Sequence, residues 1–142
     1  MLTETTLTHE DARRALDAMA AACASKGLKA VLAVADPHGE LIALLRLAGA
    51  PLASVQIAAN KAYSSARERK PSRDIGRAAK VGAEGFEMAY FGDRRFTGWG
   101  GGLPVLVGGA CVGAVAVSGL TEDEDAELAL VGVEAILGGA GR

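Results

Sequence analysis

The sequence predicts an α/β (α+β) fold in which helices pack against an antiparallel sheet. Three observations support this: two pairs of apolar runs joined by turn residues, helical spacing of apolar residues between capping signals, and a globular composition. Half of the 142 residues are apolar and 23% are charged, which excludes a disordered chain. This length suits one sizeable core, so we expect residues 1–142 to form a single domain.

Four stretches carry helical patterns. Thr8 can cap the first helix, with Asp11 answering three residues on, and Gly27 can end it in a left-handed conformation. The other helices are predicted over Leu52–Ala66, over Ser72–Ala83 with Ser72 as a cap, and from the capping box Thr121–Glu124 to about Leu137.

Two hairpins are predicted from paired apolar runs. Their strands and turns are Ala30–Ala35, Asp36–Gly39 and Leu41–Leu45, and then Leu103–Val107, Gly108–Gly109 and Ala110–Val117. Both strands of the first hairpin are apolar on both faces, which predicts that helices or a partner subunit cover them on two sides. Residues Glu84–Trp99 are irregular, with room for a short strand.

The composition argues against several classes of partner and site. The net charge is -2 and no segment concentrates Lys and Arg, so we expect no nucleic-acid binding. Met1–Asp11 has no hydrophobic core of a signal peptide and no apolar run is long enough to span a bilayer, so we expect a cytoplasmic protein without a membrane partner. Cys23 and Cys111 form no disulfide framework, and His9 and His38 lack the spacing of a metal pair, so we expect no metal site.

One narrow face of the second predicted helix is polar. At about 100° per residue, Ser54, Ala58, Lys61 and Ser65 fall on that face. A lysine among such small residues either snorkels to water or faces a polar cavity. Arg46, at the end of a strand, either clamps a carboxylate or is an ordinary surface arginine.

The segment Gly98–Pro104 contains four glycines and no charge. Its glycines either admit a ligand to free backbone amides or form a structural turn with tight backbone packing. The neighbouring side chains Phe96 and Trp99, with Arg94 and Arg95, suit the rim of a pocket for a planar or acidic ligand.

Several stretches, taken in order, resemble one family. They are Val34–Leu41, Arg46, Gly49–Ala50, Ser54, Ala58, Lys61–Ala62, Ser64, Gly101–Pro104, Gly113–Gly119 and Asp125. The set is similar to the GlcG/HbpS-like family, also called the haem-degrading or PduO C-terminal-like domain, from about Leu7 to Leu137. The resemblance implies a profilin-like antiparallel sheet of about five strands flanked by helices, and homo-oligomers from dimers up to octamers.

The resemblance also implies a site. Arg46, Lys61, Ser118, Gly101 and Gly102 match the family and become candidate pocket residues. Haem is a possible cofactor by resemblance only, and neither histidine maps onto an axial ligand. The sequence departs from the family where Leu47-Ala48 replaces Met-Asp after the arginine, and at Ala116 in place of Gly.

These observations lead to a functional hypothesis with two alternatives. The chain is expected to bind a small molecule, as an accessory protein or enzyme of small organic acid or cofactor metabolism. The alternatives are a haem- or corrinoid-binding storage or sensor protein, and an assembly module without catalysis. Lys61 and Arg46 are the candidate catalytic residues; the candidate ligand-binding residues are Arg46, Ser54, Lys61, Phe96, Trp99, Gly101, Gly102, Pro104 and Ser118.

Overall fold

A computed structural model describes residues 1–79 and 85–140 of the chain, with the side chains of residues 139 and 140 left aside. Its elements, in order, are α1 (His9–Lys26), β1 (Val31–Ala35), β2 (Leu41–Arg46), α2 (Ser54–Glu68), α3 (Ser72–Ala79), a 3-10 helix (Met88–Phe91), β3 (Gly102–Val107), β4 (Ala110–Ser118) and α4 (Glu122–Ala140).

The strands form one antiparallel sheet in the order β2-β1-β4-β3. The predicted fold class is confirmed, but the described residues contain four strands rather than five. The irregular segment forms the 3-10 helix instead, because its amides bond back locally: Tyr90 N–H donates to Glu87 and Gly92 N–H donates to Ala89. Those amides are therefore not available to a neighbouring strand.

The signals predicted at both ends of α1 and at the start of α4 are confirmed. Thr8 and Asp11 form a reciprocal capping box at the start of α1, and Gly27 ends the helix at φ 65°. At α4, Thr121 Oγ1 accepts from Glu124 N–H at 3.2 Å, while the Glu124 carboxylate accepts from Thr121 N–H. These contacts lie within four residues of each other, so they form regardless of how the rest of the chain packs.

Two layers of helix cover the sheet. Helix α2 packs on one face, and α1 and α4 pack on the other. The α2 side is built from small residues, among them Ala33 and Ala116 of the sheet and Ala58 and Ala62 of the helix. The α1/α4 side holds the larger core residues, such as Met19, Leu32, Val115, Val117 and Ile136. The small contact residues bring the α2 backbone close to the sheet.

Only one strand of the first hairpin is covered on both faces within the chain. Every residue of β1 is buried, as predicted. Strand β2 lies at the edge of the sheet, and its Leu41 and Leu45 are exposed. Helices of the same chain therefore leave part of β2 uncovered, and its coverage by a partner subunit stays a prediction.

Helix α3 differs from its prediction at its start. Ser72 does not cap it; its hydroxyl donates to the Trp99 carbonyl at 2.7 Å and accepts from Gly102 N–H at 2.9 Å. Ser72 thus ties α3 to the glycine segment. The predicted continuation of this helix over residues 80–83 lies outside the described residues. Of the helices in the described ranges, none has the length and apolar content to cross a membrane.

Candidate functional site

A cleft of about 350 Å³ opens where β4 ends and α4 begins. The first turns of α2 form one wall, and the turn between β4 and α4 forms another. Its lining residues are Ser54, Ile57, Lys61, Trp99, Ser118, Gly119, Leu120, Glu122 and Asp125. Four of the predicted site residues, Ser54, Lys61, Trp99 and Ser118, therefore meet in one cleft.

A buried ion pair forms the floor of the cleft. Lys61 Nζ lies 3.0 Å from Asp125 Oδ2, and it also donates to the Val117 carbonyl at 3.0 Å. Both charged residues are buried, Lys61 being 3% and Asp125 2% exposed. The lysine faces the inside rather than snorkelling to water, because helical spacing places it on the buried face with Ser54, Ala58 and Ser65.

The surroundings of Asp125 have opposing effects on the pKa of its carboxyl group. Burial raises the pKa of Asp125 above its ordinary value, while the Lys61 ammonium and the Leu120 N–H oppose that rise. The Leu120 N–H donates to Oδ1 at 3.2 Å, so each carboxylate oxygen has a donor. A buried carboxylate with both oxygens bonded is held in a fixed position.

Two buried hydroxyl groups stand beside this ion pair. Ser54 is the first residue of α2 and Ser118 the last of β4, and both are buried. Both residues line the cleft, and neither hydroxyl makes a hydrogen bond to another of the described residues. They are therefore free to donate to, or accept from, a bound molecule.

The glycine segment packs tightly against the back of the site. Gly101 has φ 126°, and a Cβ there would lie 2.5 Å from the Val117 carbonyl oxygen and 2.9 Å from Lys61 Nζ. A Cβ at Gly102 would lie 2.5 Å from the Lys61 carbonyl oxygen. Of the two interpretations of this segment, tight backbone packing accounts for these glycines.

The amides of the glycine segment are not free as expected. Gly102 N–H donates to Ser72 Oγ, and Gly100 N–H donates to Glu122 Oε1 at 2.8 Å. Both donors are occupied because the segment is tied to α3 on one side and to the start of α4 on the other. A ligand oxygen would have to displace one of these bonds to use them.

Trp99 and Glu122 form the rim. The Trp99 residue is 55% exposed, so part of its ring is open to solvent at the cleft. Glu122 lies 3.9 Å from Arg73 Nε, and Arg73 donates to Asp123 at 2.7 Å. The rim thus offers a flat apolar surface next to a carboxylate.

Five predicted site residues do not line this cleft: Gly101 and Gly102, which pack behind it, and Phe96, Pro104 and Arg46. Phe96 stacks on Phe91 with ring centroids 4.0 Å apart and lines a separate cavity of about 330 Å³. Pro104 lies within β3, paired with Ala114 of β4. Arg46 is exposed at the end of β2, in the cross-strand row that continues through Val31 to Ser118.

The sequence analysis places Asp125 among the residues that resemble the family but does not make it a candidate site residue. An acid at the start of a helix is already explained by the helix dipole. Leu128 and Ala129, three and four residues on, are both buried. Residues at these spacings share a helix face, so the apolar pair marks Asp125 as an inward-facing acid.

Neither histidine lines the cleft. His9 lies at the exposed start of α1, and His38 lies in the turn between β1 and β2, where Nε2 is 2.8 Å from the Glu4 carboxylate. In the described part of the chain, no group of three or more His, Cys, Asp or Glu side chains is arranged to hold a metal ion.

Comparison with known proteins decides the family. A family model described as "Haem degrading protein HbpS-like" matches residues 7–134. The chain belongs to this family. A Citrobacter freundii relative, an uncharacterized 15.0 kDa protein of the dhaT-dhaS intergenic region, is 32% identical over 124 residues, which is 87% of each chain.

Solved structures share the fold of this HbpS-like protein. The Klebsiella pneumoniae protein ORFY superposes with a TM-score of 0.91 at 26% identity, covering 96% of this chain and 94% of its own. The PduOC protein, crystallised as a haem complex, superposes with a TM-score of 0.85 at 20% identity, covering 92% of this chain and 95% of its own. The second likeness concerns the fold alone.

Proposed function

We propose that this HbpS-like protein binds a small organic molecule in the cleft above the Lys61–Asp125 ion pair, as part of small-molecule metabolism. The observation that carries the proposal is the cleft lining itself. Ser54 and Ser118 are buried residues whose hydroxyl groups make no hydrogen bond within the described part of the chain, and they line the cleft together with the exposed Trp99. Ligand pockets are typically concave sites in which a small number of polar groups converge beside aromatic or apolar surface.

The lysine adds a further polar contact. An ammonium group has three donors, and Lys61 uses two of them on Asp125 and Val117. The third is available to an oxygen atom of the ligand. If the protein is an enzyme, Lys61 is our candidate acid, because it is the charged donor nearest to the cleft floor.

Trp99 supplies the readout for a direct test, since it is the sole tryptophan of the chain. A library of small polar metabolites is titrated while the emission of Trp99 is followed. Ligands found in this way are then titrated against Ser54→Ala and Ser118→Ala. Each variant should bind about 2- to 10-fold more weakly, the usual net value of one hydrogen bond. Ser25→Ala, at an exposed site on α1, is the matched control.

Two results would count against this proposal. One is a library without a saturable effect on Trp99 emission. The other is a dissociation constant that neither serine variant changes, which would place the ligand elsewhere on the protein.

Haem is the alternative ligand, favoured by the family description and by the haem complex of PduOC. The side chains of the cleft do not fit it well. Haem iron takes its axial ligand from His, Cys, Met or Tyr. The described residues of the cleft lining include none of these four types. A hemin titration followed at the Soret band tests this candidate, and a saturable one-to-one shift would favour haem over the small polar ligand.

A further inference from the structure

We infer that the cleft selects uncharged ligands with hydroxyl or carbonyl oxygens over carboxylate anions. This inference rests on the proposed function, because it names the class of molecule that the same cleft accepts. It also narrows the sequence-based hypothesis, which left small organic acids among the candidates.

The charges of the lining carry the inference. Lys61 is the cation of the described lining, which also holds two carboxylates, those of Asp125 and Glu122. The Lys61 ammonium is already matched by Asp125 at 3.0 Å and is buried with it. A ligand carboxylate at the floor of the cleft would have to share the Lys61 ammonium with Asp125. It would also lie close to the Asp125 carboxylate, which carries the same charge. Like charges juxtaposed in a partly desolvated site are strongly unfavourable.

The other nearby cations do not compensate. Arg73 does not line the cleft; it donates to Asp123 at 2.7 Å and lies 3.9 Å from Glu122. Arg46, the expected carboxylate clamp, is two strands away from Ser118 in the same cross-strand row. Two strand spacings amount to about 10 Å, and Arg46 does not line the cleft.

The remaining groups suit a neutral polar molecule. The Ser54 and Ser118 hydroxyls can each donate or accept, and the third Lys61 donor can bind a carbonyl or hydroxyl oxygen. Trp99, Ile57 and Leu120 provide apolar surface for a carbon skeleton. None of these contacts needs a formal charge on the ligand.

Matched pairs of acids and amides test the inference at pH 7. Glycolate is compared with glycolamide, lactate with lactamide and benzoate with benzamide, within the library of small polar molecules followed by Trp99 emission. Across the library, we expect neutral members to bind at least about tenfold more tightly than carboxylates of the same shape. In Glu122→Gln that preference should narrow, because the rim loses one like charge. Glu134→Gln, exposed on α4, is the control and should keep the preference.

The outcomes separate the two proposals. Tighter binding of the carboxylates, or a neutral preference that Glu122→Gln leaves as wide as before, would overturn the inference and leave the proposed function standing. If no member of the library changes Trp99 emission in a saturable way, the proposed function fails and the inference fails with it.

Discussion

Lys61 and Asp125 place a full ion pair inside a small protein. Taking two charges out of water costs several kcal/mol each, and their attraction recovers this only if the geometry is good. Here Lys61 has Val117 as a further acceptor and Asp125 has Leu120 as a further donor. All the charged groups of the pair therefore have hydrogen-bond partners. Removing only one member should destabilise the fold more than removing both.

Lys61→Met should destabilise the fold by about 3–5 kcal/mol at pH 7, because it leaves Asp125 as an uncompensated buried charge. The double variant Lys61→Met, Asp125→Leu should recover most of that loss. Urea denaturation measures both, with Lys26→Met on the exposed end of α1 as the control. A single variant as stable as the wild type would contradict the account of the pair.

The loss of folding stability in Lys61→Met should also depend on pH and should be larger at pH 7 than at low pH. Burial already raises the pKa of Asp125, and removing Lys61 removes the main opposing influence, so the pKa rises further. The folded state then keeps a proton that the unfolded state releases near 3.8, so this residue makes stability fall as pH rises above that value. The destabilisation should therefore be smaller at low pH than at pH 7. An equal loss at both pH values would argue against a charged Asp125.

Asp93, in the segment before the glycine run, has a lowered pKa, whereas that of Asp125 is raised. Hydrogen bonds from Tyr63, the larger influence, and from Arg95 lower its pKa to about 2. Its contribution to stability is thus present above its ordinary value of 3.8 and is lost as pH falls through about 2. Tyr63→Phe should therefore raise the pH at the NMR titration midpoint of the Asp93 carboxyl group. An unchanged midpoint would mean that the hydrogen bond from Tyr63 does not lower the pKa of Asp93.

At the scale of elements, the glycine segment sets how closely β3 approaches α2. Gly102→Ala should destabilise the protein by about 1–3 kcal/mol, since the new Cβ would lie 2.5 Å from the Lys61 carbonyl and 2.6 Å from Ser65 Oγ. Gly138→Ala on α4 meets nothing within 4 Å and should stabilise by about 0.5–1 kcal/mol through helix propensity. Thermal denaturation of both checks this, and losses of equal size would contradict the packing role of Gly102.

Elements with local signals could be predicted from the sequence, and elements that depend on distant contacts could not. The capping residues Thr8 and Thr121 fix the starts of α1 and α4 through bonds to neighbours three residues away. Ser72 has the same residue type but bonds to Trp99 and Gly102, which come close only in the folded chain. No local pattern distinguishes these two uses of a hydroxyl group.

The same distinction holds for the site. The polar stripe of α2 follows from helical spacing and led to Ser54 and Lys61. Whether Phe96 or Trp99 faces the cleft depends on the path of an irregular segment, for which spacing gives no answer. Asp125 was not made a candidate site residue, because an acid at a helix start has a sufficient local explanation.

At the scale of the whole molecule, both edges of the sheet expose apolar side chains. Leu41 and Leu45 lie on β2, and Leu106 and Val107 lie on β3. Exposed apolar edge strands invite pairing with another chain. We therefore expect a homo-oligomer, and light scattering after size exclusion should give at least a dimer at micromolar concentration. Leu45→Lys should shift that mass towards the monomer, and a monomeric wild type would refute the expectation.

Nitrogen-15 NMR shift mapping with a ligand found through Trp99 emission tests the central claim most directly, because it locates the ligand residue by residue. The account predicts that the largest shifts cluster on the cleft, at Ser54, Trp99, Ser118, Gly119 and Leu120. A cluster confined to the separate cavity around Met88, Arg94 and Phe96, with the Ser54 and Ser118 signals unmoved, would contradict it.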